Sequence, residues 1–259
     1  MAILDGKSLR GSIGNLSFSK QGNINVVRSK PGRGNVKQTE ATKKSASVFG
    51  NYISPLSKYI RMSFHLLTGF YDGRMVNRMN SDISTILYQS ITPEGTFKLA
   101  KQSFDRLTGF NFNLASVLNK SVLMMPETTF TADEVKVRIP EFAVPKDLRF
   151  PPKANTCTIE MQVVQFNLEK GLWMVYPLES VVLKKGALSD SQTLSFPLPK
   201  GTLCLVAIGA VFHDPYKMVL NSKTFNPMAI VASAFNPGIA LEEEVKNWLY
   251  MSVKMKPEV

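Results

Sequence analysis

Histidine, cysteine and long apolar runs are scarce in this chain of 259 residues, and each scarcity excludes a class of function. Two cysteines are too few for a disulfide-stapled scaffold or a Cys-rich metal site. The only histidines, His65 and His213, lie far apart, with no second histidine or cysteine at metal-ligand spacing. No stretch approaches the roughly 18 apolar residues of a transmembrane helix. The opening Met1-Ala2-Ile3-Leu4-Asp5-Gly6-Lys7 has no basic region followed by an apolar core, so no signal peptide is expected. The expected location is the cytoplasm, or an assembly built there, with no membrane partner.

Catalytic constellations are missing too. Gly6-Lys7-Ser8 resembles the end of a phosphate loop, but the glycine required upstream falls on Met1 and no strand precedes it. Gly32-Arg33-Gly34 lacks the third glycine and the strand-to-helix setting of a dinucleotide site. No Gly-x-Ser-x-Gly elbow occurs. His213-Asp214-Pro215 reads as a strand end at a turn, and the densest acidic run, Glu242-Glu243-Glu244, as a solvated face. No catalytic, cofactor-binding or metal-ligating residue is assigned, and the chain is expected not to be an enzyme.

What the chain does have is segregated charge. Lys7, Arg10, Lys20, Arg28, Lys30, Arg33, Lys37, Lys43, Lys44, Lys58 and Arg61 face only Asp5 and Glu40 in the first 61 residues. That segment therefore holds nine of the chain's eleven net positive charges, while the rest carries an ordinary balance. Arg28, Lys30, Arg33, Lys37, Lys43 and Lys44 fall within seventeen residues and are the candidate contacts for a partner or a polyanion. No aromatic lies between Phe18 and Phe49, so the arm has no stacking platform for single-stranded nucleic acid.

A hydrophobic content of 44% with 20% charged residues is globular, and the length allows one large or two modest domains. Ile13, Leu16 and Phe18 lead into Lys20-Gln21-Gly22-Asn23, then Ile24-Asn25-Val26-Val27, the pattern of a β-hairpin with glycine at the turn. Arg28 to Asn35 contains Pro31, Gly32 and Gly34 and reads as an extended basic linker. Val48, Phe49, Tyr52, Ile53, Leu56, Tyr59 and Ile60 share a helix face, interrupted at Ser54-Pro55. Met75, Val76, Met79, Ile83, Ile86 and Leu87 mark a second helix, and Thr92-Pro93-Glu94 is a candidate start of a third. Ser63 to Phe70 is echoed at Ser103 to Phe110, which reads as two similar helix-terminal turns with glycine in the left-handed region.

From about Asp133 the runs 135–139, 156–166, 172–176, 193–196, 203–212 and 229–235 are β-rich, with turn signals between or beside them. Ile159, Met161 and Val163 alternate with Thr158, Glu160 and Gln162, the mark of one buried and one wet face. Leu203 to Val211 is apolar almost throughout, as in a strand covered on both faces. Such a series argues for a sandwich. Cys157, Trp173 and Cys204 are placed as in immunoglobulin domains, although without export two buried reduced thiols are the expectation.

Gly11-Ser12-Ile13-Gly14-Asn15-Leu16 followed by Gly22 to Pro31 resembles the N-terminal motif of a large uncharacterised Bacteroidota family, a Gly-x-x-Gly-Asn/Thr strand, a Lys-Gly turn and a Val-Val/Met-Arg-Ser-x-Pro strand. Ser54-Pro55-Leu56 and Thr108-Gly109-Phe110-Asn111 resemble that family's later motifs. The chain departs from the pattern at Gln21, where lysine commonly precedes the turn glycine, and residues 70–107 read as an insertion. The resemblance implies a C-terminal immunoglobulin-like domain and no known activity.

The expected architecture is α+β: a hairpin and basic arm over 1–38, a helical region over 39–125 and an immunoglobulin-like antiparallel β-sandwich over 126–259. A two-stranded hairpin is marginal alone and gains stability by adding edge-on to another sheet, in the same chain or in a neighbour, or by packing on its own helices. The expected function is therefore a structural protein that self-associates into an oligomer, tube, filament or phage-like particle. The alternative is a nucleic-acid-associated protein that binds polyanions through the same arm, and a third reading is a sandwich binding a sugar or protein ligand.

Overall fold

The computed structural model describes residues 2–6, 8–30, 39–67, 69–144 and 146–258. It divides into two units, Met1–Ser47 and Val48–Val259.

In the first unit the expected hairpin is the second half of a four-stranded antiparallel meander, β1 (Ala2–Asp5), β2 (Ser8–Ile13), β3 (Leu16–Gln21) and β4 (Ile24–Ser29), paired in that order. Two-residue turns set the register. Gly14-Asn15 joins the Ile13–Leu16 pair and Gly22-Asn23 the Gln21–Ile24 pair. In each, the glycine at the first central position has positive φ, 54° and 63°, which a residue with a Cβ resists and which matches the twist of the flanking strands. Helix α1 (Glu40–Val48) follows; the Thr39 hydroxyl accepts the N–H of Thr42 at 3.2 Å as an N-cap.

The second unit opens with a π-helical turn, Phe49–Ile53, leading into α2 (Ser54–Ser63). Pro55 has no N–H to donate, and its ring crowds the carbonyl four residues back. A widened turn ahead of it relieves that conflict, and the Ser54 N–H reaches back to the Phe49 carbonyl. The predicted break at Ser54-Pro55 is thus a π turn inside continuing helix. Helix α3 (Met75–Ser90) buries Met75, Met79, Ile83, Ile86 and Leu87, the predicted face.

No helix starts at Thr92-Pro93-Glu94. The chain reverses there around Gly95, with the Thr92 N–H on the Thr96 carbonyl at 2.8 Å and Ile91 bridged to Phe97, because this returns the Phe97 ring to the core. Beyond it the only helical pieces of the described backbone up to residue 125 are the 3₁₀ turns Asp105–Leu107 and Leu118–Lys120, so the expected helical region ends with α3 and gives way to turns and isolated bridges. Of the two echoed segments, Gly109 has the expected positive φ and Gly69 does not.

The remaining strands are β5 (Glu127–Phe130), β6 (Glu134–Ile139), β7 (Thr156–Asn167), β8 (Leu172–Val175), β9 (Glu179–Lys184), β10 (Gln192–Pro197), β11 (Thr202–His213), β12 (Met228–Asn236) and β13 (Leu249–Tyr250). They form a three-stranded sheet, β10-β6-β5, and a six-stranded sheet, β12-β11-β7-β8-β13, with β9 also on β7. All pairings are antiparallel, so the protein is a mostly-β α+β fold. No helix among the described residues is long and apolar enough to cross a membrane.

Two apolar clusters lie on opposite faces of the larger sheet. Leu203, Leu205, Ala207, Val164 and Phe166 pack with α2, α3 and Phe112, whereas Cys204, Val206, Ile208, Ile159, Met161 and Val163 pack with the smaller sheet through Val135, Val137 and Phe196. This is why β11 is apolar at successive positions. Strand β7 corrects the expected one-wet-face pattern: Thr158 and Glu160 are half-buried, but Gln162 is buried, because the helical layer covers only the second half of the strand. The edge of β12 is closed by the chain before it. Gly109 and Phe112 donate to the Ile230 and Met228 carbonyls at 2.8 and 3.1 Å, and Ile230 donates to Phe110 at 3.0 Å.

Asp72 ties this segment to α3. Its carboxylate accepts the N–H of Arg74 at 2.8 Å and of Leu114 at 3.1 Å and pairs with Arg78, whose guanidinium lies 4.9 Å above the Phe110 ring. Burial pushes the carboxyl up, but the Leu114 and Arg74 N–H groups and Arg78 outweigh it and hold it below the ordinary 3.8. Such a group stabilises fully above its unfolded value and loses that contribution as pH falls through the lower folded value. Asp72→Asn is expected to cost about 1–3 kcal/mol at pH 7 and distinctly less at pH 3. Urea titrations at both values check this, and an equal gap at the two would refute it.

Candidate interaction surface

The four-stranded N-terminal sheet has two unlike faces, set by the two-residue side-chain period and the observed registers. Directly paired residues share a face: Leu4 with Leu9, Ile13 with Leu16, and Gly11 with Phe18 and then Val27. One face therefore carries Ala2, Leu4, Leu9, Ile13, Leu16, Phe18 and Val27, with Lys20, Asn25 and Ser29 toward β4. The other carries Asp5, Arg10, Ser12, Ser17, Ser19, Gln21 and Arg28, with Ile3, Ile24 and Val26 among them.

The apolar face is open. Leu4 is 71% exposed, Ile13 56%, Val27 54% and Leu16 43%, and Leu9 and Phe18 are only half-buried. Among the described residues of Met1–Ser47, Ser8 alone is buried. A sheet gains stability by burying one face against another layer. This sheet, taken by itself, has a face ready for burial and no core.

Four of the six predicted contact residues lie among the described residues. Arg28 stands exposed on β4, opposite Ser17. Lys30 follows the strand; its N–H donates to the Asn15 carbonyl at 2.6 Å and its Nζ to the Gly14 carbonyl at 3.3 Å, which holds the end of β4 against the β2–β3 turn. Lys43 and Lys44 lie on α1, where Lys43 pairs with Glu40 at 2.8 Å. Arg33 and Lys37, with most of the predicted linker, lie outside the described residues. Arg10, not among the six, faces Ile3 and pairs with Asp5 at 3.2 Å. Charge counting found the cations, but not the apolar face behind them; the alternation of Leu4, Leu9, Ile13, Leu16 and Phe18 was the signal for it.

Glu242, Glu243 and Glu244 are exposed around the 3₁₀ turn Glu243–Val245, and the Glu244 carboxylate accepts the Leu241 N–H at 2.8 Å, so part of the acidic run serves its own turn. His213 ends β11, and Asp214 accepts the N–H groups of Tyr216 and Met218 at 2.8 and 2.9 Å, as expected for a strand end at a turn. An apolar cleft of about 350 Å³ lies among Phe97, Leu99, Leu168, Phe235, Ile239 and Met255, with the Lys98–Glu258 pair at its wall. Cys157 and Cys204 are free and buried. They occupy neighbouring strands of one sheet, paired with Phe212 and Gln165 respectively, and Trp173 packs on Phe166 and Tyr59 instead of between them. Comparison with protein-family models, with curated proteins and with solved structures gives no match.

Proposed function

We propose that this chain is a non-enzymatic structural protein that self-associates, as a subunit of an oligomer, tube, filament or phage-like particle. The observation that supports this most is the four-stranded sheet with an exposed apolar face and no core of its own. Two sheets facing each other across the Val135, Val137, Val163 and Val206 cluster support reading the second unit as a β-sandwich, immunoglobulin-like in layering but without the disulfide and tryptophan hallmark. The resemblance of the hairpin to the Bacteroidota family adds an architectural reason for treating this sheet as a module.

Light scattering of the full chain beside one lacking residues 1–39 tests the reading. The full chain is expected at twice the monomer mass or more, and the shortened chain at the monomer mass. A monomer in both cases would defeat it. The nucleic-acid reading is favoured by Arg28 and Lys44, which form no ion pair among the described residues. Salt separates the two. Polyanion binding weakens steeply as salt rises, whereas association of like-charged subunits through an apolar face holds or strengthens.

A further inference from the structure

We infer that the occupant of the exposed apolar face is the same face of a second copy, so that two four-stranded sheets pack into a sandwich across a two-fold axis. The inference rests on the self-association reading and specifies its contact. Charge decides the face. Arg10 and Arg28 lie on the opposite side of the sheet, and among the described residues the apolar side has one cation, Lys20, away from Ile13 and Leu16. Two positively charged copies meeting through this side turn Arg10 and Arg28 outward and leave them hydrated. Meeting through the other side would press Arg10 and Arg28 of each copy against the facing sheet and strip their water.

Area decides the strength. Four strands about 4.8 Å apart and about six residues long, at about 3.3 Å per residue, present a face of roughly 400 Å². Two such faces bury about 800 Å² or somewhat more, below the standard size and in the range of weak, transient interfaces, so the dimer is expected to dissociate readily on dilution. Shape fits an axis running between β2 and β3. Gly11 pairs with Phe18 across these strands and Ile13 with Leu16, so a two-fold axis between them sets Phe18 of each copy over Gly11 of the other, ring into gap, and Ile13 over Leu16.

Complementary variants of the full chain test this pairing. Ile13→Asp alone and Leu16→Lys alone each place two charges against apolar partners, and each is expected to weaken dimerisation at least tenfold. Mixed in equal amounts, they form one Asp–Lys contact and leave one Ile–Leu contact intact, so the dimer is expected to return, as a heterodimer, to within about tenfold of the original affinity. Sedimentation velocity reads the masses, and far-UV circular dichroism checks that each variant is folded. Variants that dissociate and stay monomeric when mixed would overturn the sheet-on-sheet pairing but leave self-association standing, with the face docked elsewhere on its neighbour. Variants that associate as well as the original chain would also overturn the pairing. An original chain that is monomeric up to high micromolar concentration would remove both the pairing and the reading beneath it.

Discussion

Phe112→Ala is expected to cost about 3–5 kcal/mol, a third or more of the stability of an ordinary domain. Its ring is fully buried and meets Phe64 at 6.0 Å and Phe110 at 5.4 Å, both edge to face. Its backbone is held at both ends: the N–H donates to the Met228 carbonyl at 3.1 Å, and the carbonyl accepts the Asp72 N–H at 3.2 Å. A backbone pinned between β12 and the approach to α3 prevents the surroundings from collapsing into the space a missing ring leaves, which puts the cost at the upper end for such truncations. Guanidinium unfolding monitored by tryptophan fluorescence measures it. A loss below about 1 kcal/mol would mean that the helical layer does not pack on the sheet as described.

Neither cysteine is expected to react with an aromatic disulfide reagent at pH 8 on the timescale of an exposed thiol. Burial pushes the Cys204 thiol up to about 12, with a contact to Gln165 acting the other way, and burial, with Glu160 nearby, pushes Cys157 up as well. A shift of that size alone lowers the thiolate fraction about a thousandfold relative to an ordinary cysteine, and inaccessibility slows the reaction further. Denaturant is expected to release two reactive thiols per chain. Oxidation is not expected to join them. Cys204 pairs with Gln165, eight positions along β7 from Cys157, or about 26 Å, far beyond disulfide reach. Rapid labelling of either residue in the native protein, or a bridged peptide in a digest, would contradict this geometry.

Much of the fold was readable along the chain. The Gly22-Asn23 turn, the faces of α2 and α3, and the long strands β7, β11 and β12 follow from local periodicity and turn chemistry, which act over a few residues. The strands that escaped notice were short or lay outside an apolar run: β1 and β2, β5, and β9, whose Val181 and Leu183 alternate. The C-terminal stretch kept its character hidden by mixing Glu242-Glu243-Glu244 with Trp248 and Leu249. There the buried Met251, Val253 and Met255 alternate with exposed Ser252, Lys254 and Lys256, an extended segment whose N–H groups from Met251 and Met255 reach the Gly171 and Leu168 carbonyls. Of the candidate surface, the cations were visible and their division from the apolar face was not, because it depends on which residues pair across strands.

Sequence alone determined that positive charge concentrates at the start of the chain, that a glycine turn folds the opening residues back, and that strands dominate after residue 126. These are properties of neighbouring residues and survive any choice of tertiary arrangement. Tertiary structure decided that α2, α3 and the larger sheet share one core, that the cysteines stand apart on adjacent strands, and that the first sheet leaves Leu4, Ile13, Leu16 and Val27 in water. A period of two says which side chains lie together on a face; only packing in three dimensions says what, if anything, lies against it.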